Sequence, residues 1–379
     1  ARHGRARMKL QSLQLYDFRN YETASVKFHP GVNLIVGENA QGKTNLLESV
    51  FYLSTGKSFR TARNQELIRF GADFTDLNCS LFSGGREQSL RAVLFSGRKP
   101  RQLYIGGVKQ RSAAGLSGVL TTVLFCPDDL LILKSGSAGR RKILDTALCQ
   151  LRPGYAQALA EYQKLYDSKS RILKDYHDAP SLLEPLPEFN YRMAQVGAVV
   201  ISYRAKFLRE LSRQAQLYHT EFSGGREALS LIYQTVSTVT DPFADKKTIF
   251  QQLLDHQQAH YRAELDSGQC LSGPHKDDFE TLLGERSVKA YGSQGQTRTA
   301  AISLKLAERE LFRADTGEEP VLLLDDVLSE LDARRQDFVL NQIRSGQVLI
   351  TCCEPERITN IGKRIFVEGG QIREESSCI

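Results

Sequence analysis

Hydrophobic spacing changes period twice along the chain. Apolar and polar residues alternate over residues 8–28, 78–82, 89–95 and 102–109, the last around Gly106-Gly107, which is the period of half-buried strands. From 138 to about 269 the pattern turns mostly helical, punctuated by Pro153, Pro180, Pro185 and Pro187, with DAPSLLEPLPEF as its clearest loop. After Leu271 strands return. Single hydrophobic cores stop growing at roughly 250–300 residues. A chain of 379 residues in this order therefore predicts two lobes: an α/β lobe from 1–137 and 271–379, and a helical lobe from 138–270.

Two short apolar runs stand out against the alternation. The first, Val32–Val36, reads as a buried strand, and residues 44–53 carry Leu46, Leu47, Val50 and Phe51 at helical spacing. Between them lies Gly37-Glu38-Asn39-Ala40-Gln41-Gly42-Lys43-Thr44, the G-x-x-x-x-G-K-[ST] pattern in a strand, loop and helix setting. The glycines let the backbone curl with its N–H groups inward, and the new helix adds the positive end of its dipole, which together make a phosphate cradle. Lys43 would reach the outer phosphates of ATP, and Thr44 would hold Mg²⁺ by its hydroxyl. The second run, residues 321–324 in EEPVLLLDDVLSELD, predicts a strand buried on both faces and ending in Asp325 and Asp326. Asp325 would join the Mg²⁺ shell, and Asp326 would orient or deprotonate the attacking water. The expected catalytic set is Lys43, Asp325 and Asp326.

YGSQGQTRTAAISLKLAE, from Tyr291 to Glu308, opens a helix with a whole polar turn where ordinary capping needs one residue. With SELD at 329–332 after the acidic pair, the order of parts resembles an ABC-type ATPase head, and 291–299 stands in the place of its signature motif. The longer stretches LQLYDFRNYETASVKFHPGVNLIVGENAQGKTNLLESVFYLSTGKSFR, VLFCPDDLLILKSGSAGRRKILD, LSGPHKDDF and VLLLDDVLSELD resemble the RecF family of bacterial recombination mediators, over essentially the whole chain from Met8.

The resemblance implies ATP sandwiched between two subunits, with Gly37 to Thr44 of one and Ser293, Gln294, Gly295 and Gln296 of the other. It places Arg19, in DFRNY, at a position that approaches nucleotide, a structural Arg beside Tyr21 being the other reading. Thr351, closing QVLITCCEP, stands in for a missing histidine as γ-phosphate sensor. It further implies an ATP-dependent homodimer that binds duplex DNA and duplex/single-strand junctions without reading sequence, and acts with RecO and RecR to promote RecA loading. Asp326 stands where most such heads carry Glu, and its shorter arm implies slow, DNA-stimulated hydrolysis. Rad50 and SMC heads resemble the same head but interpose a very long coiled coil. Here the prolines between Lys43 and Ser293 break any continuous seam, so no long coiled coil is expected. The alternative reading is a scaffold for repair partners whose nucleotide stabilises the fold without gating dimerisation.

Charge changes this picture little. The net charge is +6, but Arg2, Arg5, Arg7 and Lys9 supply four of it, and the segment before Met8 reads as an extension ahead of the start. Local clusters are the better DNA candidates: Arg98, Lys99, Arg101, Lys109 and Arg111 in SGRKPRQLYIGGVKQR, Lys57, Arg60 and Arg63 in GKSFRTAR, and Arg140 to Lys142 in GRRK. Such residues neutralise phosphates without reading bases, with a solvated surface as the competing reading. Cations at the start of the GRRK helix oppose its dipole and point to a structural or external anion. Seven cysteines without paired metal spacing, no apolar run near the roughly 18 residues of a membrane span and no secretory signal predict a reducing, cytoplasmic setting without a membrane. On the signature helix, Ala300, Leu304, Ala307 and Leu311 form the expected buried stripe, while Arg298, Lys305 and Arg309 read as solvated.

Overall fold

The computed structural model describes residues 8–353 and 362–374. Arg2, Arg5 and Arg7 lie outside the described residues. The chain divides into one unit of Ala1–Leu131 with Ala301–Ile379 and another of Ile132–Ala300. The first boundary is close to the expected 137, but the second moves from 270 to 300. The reason is a strand, Leu229–Gln234, inside the stretch read as helical; Asp278–Leu283 pairs with it, and Arg286–Ser287 pairs with Asp278–Leu283 in turn. Gly224-Gly225 followed by Leu229, Leu231 and Tyr233 in alternation is its signal in the sequence. Residues 291–299 accordingly belong to the second unit.

The first unit holds two six-stranded sheets. One is antiparallel and carries the alternating N-terminal strands Tyr21–Lys27, Lys9–Phe18, Phe74–Ser83, Arg86–Phe95, Gln102–Ile105 and Val108–Gln110 in that order. The other is mainly parallel, ordered Gln371–Glu374, Lys363–Glu368, Val32–Val36, Val348–Cys352, Val321–Asp325, Thr122–Phe125. Its central strands are buried along their length, which is why they read as unbroken apolar runs. The register sets Asp325 beside Thr351, and Thr351 beside Ile35, so the strand carrying the acidic pair and the strand entering the phosphate loop end at one level. Helix Lys43–Thr55 buries Leu46, Leu47, Val50 and Tyr52 completely in the shared core.

In the signature helix, Gln294–Thr316, Ala300, Leu304 and Ala307 are buried as expected, and Leu311 partly so. Lys305 and Arg309 are not solvated: both are buried. Lys305 Nζ donates to Glu308 at 2.6 Å, and Arg309 pairs with Glu319 at 3.0 Å and donates to the Gln342 carbonyl at 3.0 Å. A helix packed on more than one side hides charge only where each charge is paired.

The second unit packs helices Ser137–Leu151, Pro153–Asp175, Leu186–Ser223 and Lys246–Ser267 with the small sheet. Pro153 and Pro187 sit at helix starts, where a missing N–H is harmless, so DAPSLLEPLPEF ends as the opening of a helix rather than wholly as loop. At 38 residues, Leu186–Ser223 is the longest helix among the described residues, and no long coiled coil occurs in them. None of the described helices is long and apolar enough to cross a membrane.

GRRK resolves as structural. The Arg140 guanidinium is buried and forks onto Asp278 at 2.6 and 2.7 Å, and Arg141 donates to the Asp277 carbonyl at 2.6 Å, so the anion inferred from the helix start belongs to the chain itself. His275 is likewise structural: Tyr162 meets its Nδ1 at 2.7 Å, its Nε2 lies 3.0 Å from the Cys270 carbonyl, and burial pushes its pKa down to about 4.

Candidate nucleotide site

The phosphate loop is shaped from outside by residues the sequence reading did not single out. Tyr21 Oη donates to the Gly42 carbonyl at 2.9 Å, and Asn20 Nδ2 donates to the Gln41 carbonyl at 2.8 Å. The turn after Lys363–Glu368 adds Gly370 N–H, again to the Gln41 carbonyl, and Gly369 N–H to Gln41 Oε1 at 2.6 Å. In a trans peptide the N–H points opposite its C=O. Drawing these two carbonyls outward therefore turns the amides of Gly42 and Lys43 into the loop, the geometry an anion needs. Gly37 and Gly42 are required by space. A Cβ on Gly37 would stand 2.3 Å from the Val367 carbonyl oxygen; one on Gly42, at φ 122°, would stand 2.8 Å from Asn20.

Lys43 is buried, its ammonium folded over the loop, donating to the carbonyls of Gly37 at 2.6 Å and Glu38 at 2.8 Å with Cys353 Sγ at 3.3 Å. Glu38, Asn39 and Ala40 form the exposed crest, with Ala40 at φ 64°. Thr44 Oγ1 donates to Asp325 Oδ1 at 2.9 Å. That spacing is about the edge of an octahedron with metal–oxygen bonds of roughly 2.1 Å, so Thr44 and Asp325 fit Mg²⁺. Burial raises the Asp325 pKa, the bonds from Thr44 and Thr351 oppose it, and Asp326 adds to the rise. A divalent cation would favour the ionised form.

Asp326 leaves the strand at φ 52°, and Ser329 of the SELD segment clasps it, donating to its carbonyl at 2.7 Å. Thr351, expected to sense the γ-phosphate, is tied to the acidic pair. Its hydroxyl donates to Asp325 Oδ1 at 3.0 Å and accepts the Asp326 N–H at 2.8 Å, so it holds both acidic residues in register. The residue that stands near Lys43, just past this strand, is Cys353, whose exposed thiol donates to Asn39 Oδ1 at 3.1 Å.

Arg19 is anchored within the chain and also lines the cleft beside Asn45. Its guanidinium grips buried Glu48 of the phosphate-loop helix at 2.8 and 2.9 Å and donates to the Glu66 carbonyl. Among the DNA candidates, Arg101 turns inward to Tyr52 Oη and the Gly56 carbonyl, while Arg60 stays exposed with one nitrogen donating to Asn45. Lys99 lies over the Phe95 ring, and Arg63 stands 3.9 Å from Glu66. Lys57, Arg98, Lys109 and Arg111 are exposed. In the signature turn, Ser293 and Gln294 are exposed and Gly295 and Gln296 partly so.

A parallel sheet whose phosphate loop, acidic pair and sensor-position strand converge in this way defines an ABC-type ATPase head. The description of the family model that matches, over residues 9–371, is the RecF/RecN/SMC N terminal domain. The DNA replication and repair protein RecF of Acetivibrio thermocellus is 35% identical over 97% of this chain and 99% of its own, and that of Staphylococcus haemolyticus 38% identical over 96% and 100%. A solved structure of the recombination mediator protein RecF with ATP, of the RecFOR pathway, superposes with a TM-score of 0.91 at 31% identity, covering 99% of this chain and 100% of that one. An Smc head domain from Pyrococcus furiosus shares the fold, with a TM-score of 0.55 at 16% identity over 97% of this chain and 96% of that one. The chain belongs to the RecF family.

The Lys43–Cys353 contact gives the site a direct reporter. With Cys353 Sγ 3.3 Å from the Lys43 ammonium, a phosphate taken up by Lys43 is expected to shield the thiol. Saturating ATP is expected to slow alkylation of Cys353 by N-ethylmaleimide roughly tenfold or more, since a ligand lowers reactivity in proportion to its occupancy. Lys43→Ala should remove the protection. Peptide mass spectrometry reads it; equal labelling with and without ATP in the unsubstituted protein would be the contrary result.

Proposed function

We propose that the protein is an ATP-dependent DNA-binding protein of recombinational repair, in which ATP and Mg²⁺ join two heads into a dimer that clamps duplex DNA near gaps and slow hydrolysis releases it. The reading extends to cooperation with RecO and RecR in promoting RecA loading, for which the relatives' names and the RecFOR assignment of the similar structure are the support. One observation carries the nucleotide part: Thr44, Asp325, Asp326 and Thr351 form a single hydrogen-bonded chain that reaches the phosphate loop. A cleft of about 650 Å³ opens beside Asn45, next to Thr44, lined also by Asn20, Arg69 and Phe70, and offers room for the nucleoside end.

For DNA, exposed Lys57, Arg63, Arg98, Lys109 and Arg111 support a contact to the backbone that is set by salt and DNA form, not base sequence. Sedimentation with ATP, ADP or no nucleotide, with and without duplex DNA, tests the proposal. A dimer with ATP that binds duplexes of unrelated sequence alike and dissociates as salt rises is expected. A nucleotide-independent monomer, or preference for one duplex sequence, would overturn it.

A further inference from the structure

The turn that opens the signature helix is closed by its own side chains. Ser293 Oγ accepts the Gln296 N–H at 3.2 Å, and Gln296 Oε1 accepts the Ser293 N–H at 2.9 Å, a reciprocal capping box. Gln296 was expected to touch nucleotide, but its amide is engaged at both ends. Its Nε2 donates to Glu227 Oε1 at 2.6 Å.

Glu227 lies just before the strand Leu229–Gln234, in the stretch whose spacing reads as helical. Its carboxylate faces Nε2 of His219 at 3.6 Å, a residue 1% exposed whose ring nitrogens have no hydrogen-bond partner. From another side Lys134 Nζ donates to the Gly292 carbonyl at 2.6 Å. Because Ser293 Oγ accepts from within the turn, its own proton is left to donate to an incoming acceptor.

We propose that Glu227 is the positioning residue of this turn: by fixing the Gln296 side chain it sets the capping box, and so the donor orientation of the Ser293 hydroxyl toward the terminal phosphate of ATP held by a second copy. The proposal rests on the ATP-joined dimer argued above. It gives Gln296 the role of a strut and assigns Glu227, remote in sequence, to the nucleotide machinery.

The test uses the full chain as Glu227→Ala, Glu227→Gln, Gln296→Met and the Glu227→Ala/Gln296→Met pair. Amide exchange over residues 291–297 without nucleotide is measured alongside binding of a fluorescent ATP analogue and ATP-driven dimerisation. A hydrogen bond to a charged acceptor corresponds to roughly tenfold or more. Glu227→Ala is therefore expected to speed exchange in the turn about tenfold and weaken dimerisation similarly, with analogue binding by the Lys43 loop unchanged. Glu227→Gln should keep both, since its amide oxygen still accepts from Gln296. The pair should be no worse than Gln296→Met alone, because Glu227 acts on the turn only through Gln296.

Unchanged exchange in Glu227→Ala, equal loss in Glu227→Gln, or additive losses in the pair would overturn the proposal. Faster exchange with undiminished dimerisation would overturn its link to ATP. If the turn loosens while the unsubstituted protein stays monomeric with ATP, the dimer reading fails, and with it that link, while the positioning of the turn stands. Should Glu227→Ala not fold, Glu227→Leu withdraws the same acceptor while leaving Gln296 in place and is read the same way.

Discussion

Lys43→Arg and Ser293→Arg, each alone, are expected to abolish ATP-driven dimerisation and to lower ATP turnover by roughly 100-fold or more, the scale on which one transition-state donor acts. Lys43 sits in a pocket closed by two loop carbonyls and the Cys353 thiol, and a planar fork cannot replace its point charge there. Ser293 is exposed at the head of its helix, so an arginine there gives up the cap from Ser293 Oγ to the Gln296 N–H, worth about 1 kcal/mol, and its bulk obstructs a partner. Mixing the two proteins supplies the decisive arithmetic. In a mixed pair one nucleotide site carries both lesions and the other carries neither, so at most one working site per dimer returns. Recovery in the mixture, seen in sedimentation and in turnover, is what a shared site demands. If both variants dimerise with ATP as the unsubstituted protein does, the nucleotide only stabilises a scaffold.

Much of this site was legible because its parts are local. The phosphate loop announces itself through glycine spacing between an apolar run and a helix, and the acidic pair through a run too short and too apolar for anything but a buried strand. What escaped was whatever depends on register between distant segments. That Thr351 stands beside Asp325 across the sheet is one such feature. Tyr21 at the start of a strand, and Asn20 and Gly370 in turns, brace the loop from 21 residues or more away in sequence, and nothing in their own spacing says so.

Helical periodicity likewise placed Ala300, Leu304 and Ala307 correctly but exposed Lys305 and Arg309, because a wheel shows one apolar stripe and cannot show a second face buried with paired charges. Leu229–Gln234 was lost inside a helical stretch since six residues barely register in a long window, yet that strand draws residues 271–300 into the second unit.

Arg204→Met should destabilise the second unit by about 3–5 kcal/mol, the range for stripping the partner from a buried charge. Arg204 rises from the middle of helix Leu186–Ser223 and is buried. It donates to Asp277 Oδ2 at 2.9 Å, to the Pro274 carbonyl at 2.7 Å, and to both oxygens of Asp145, with Tyr155 and Tyr233 closing the cluster. Burial already raises the pKa of Asp277, and Arg204 is the chief influence opposing that rise. Without the guanidinium the folded-state pKa must climb further. A carboxyl whose folded pKa lies above its unfolded value lends stability that is complete below the unfolded pKa and is lost as pH rises through the folded one. The deficit of Arg204→Met is therefore expected to be largest near pH 8 and to shrink on acidification, starting at a higher pH than after loss of a surface ion pair, whose carboxylate titrates at about 4. Adding Asp277→Asn should recover part of the loss at pH 8 and flatten the pH dependence, because the neutral amide no longer carries the charge that burial penalises. Urea unfolding of the three proteins at several pH values decides the matter: a deficit that is constant or grows as pH falls would mean that Asp277 is not the group left uncompensated.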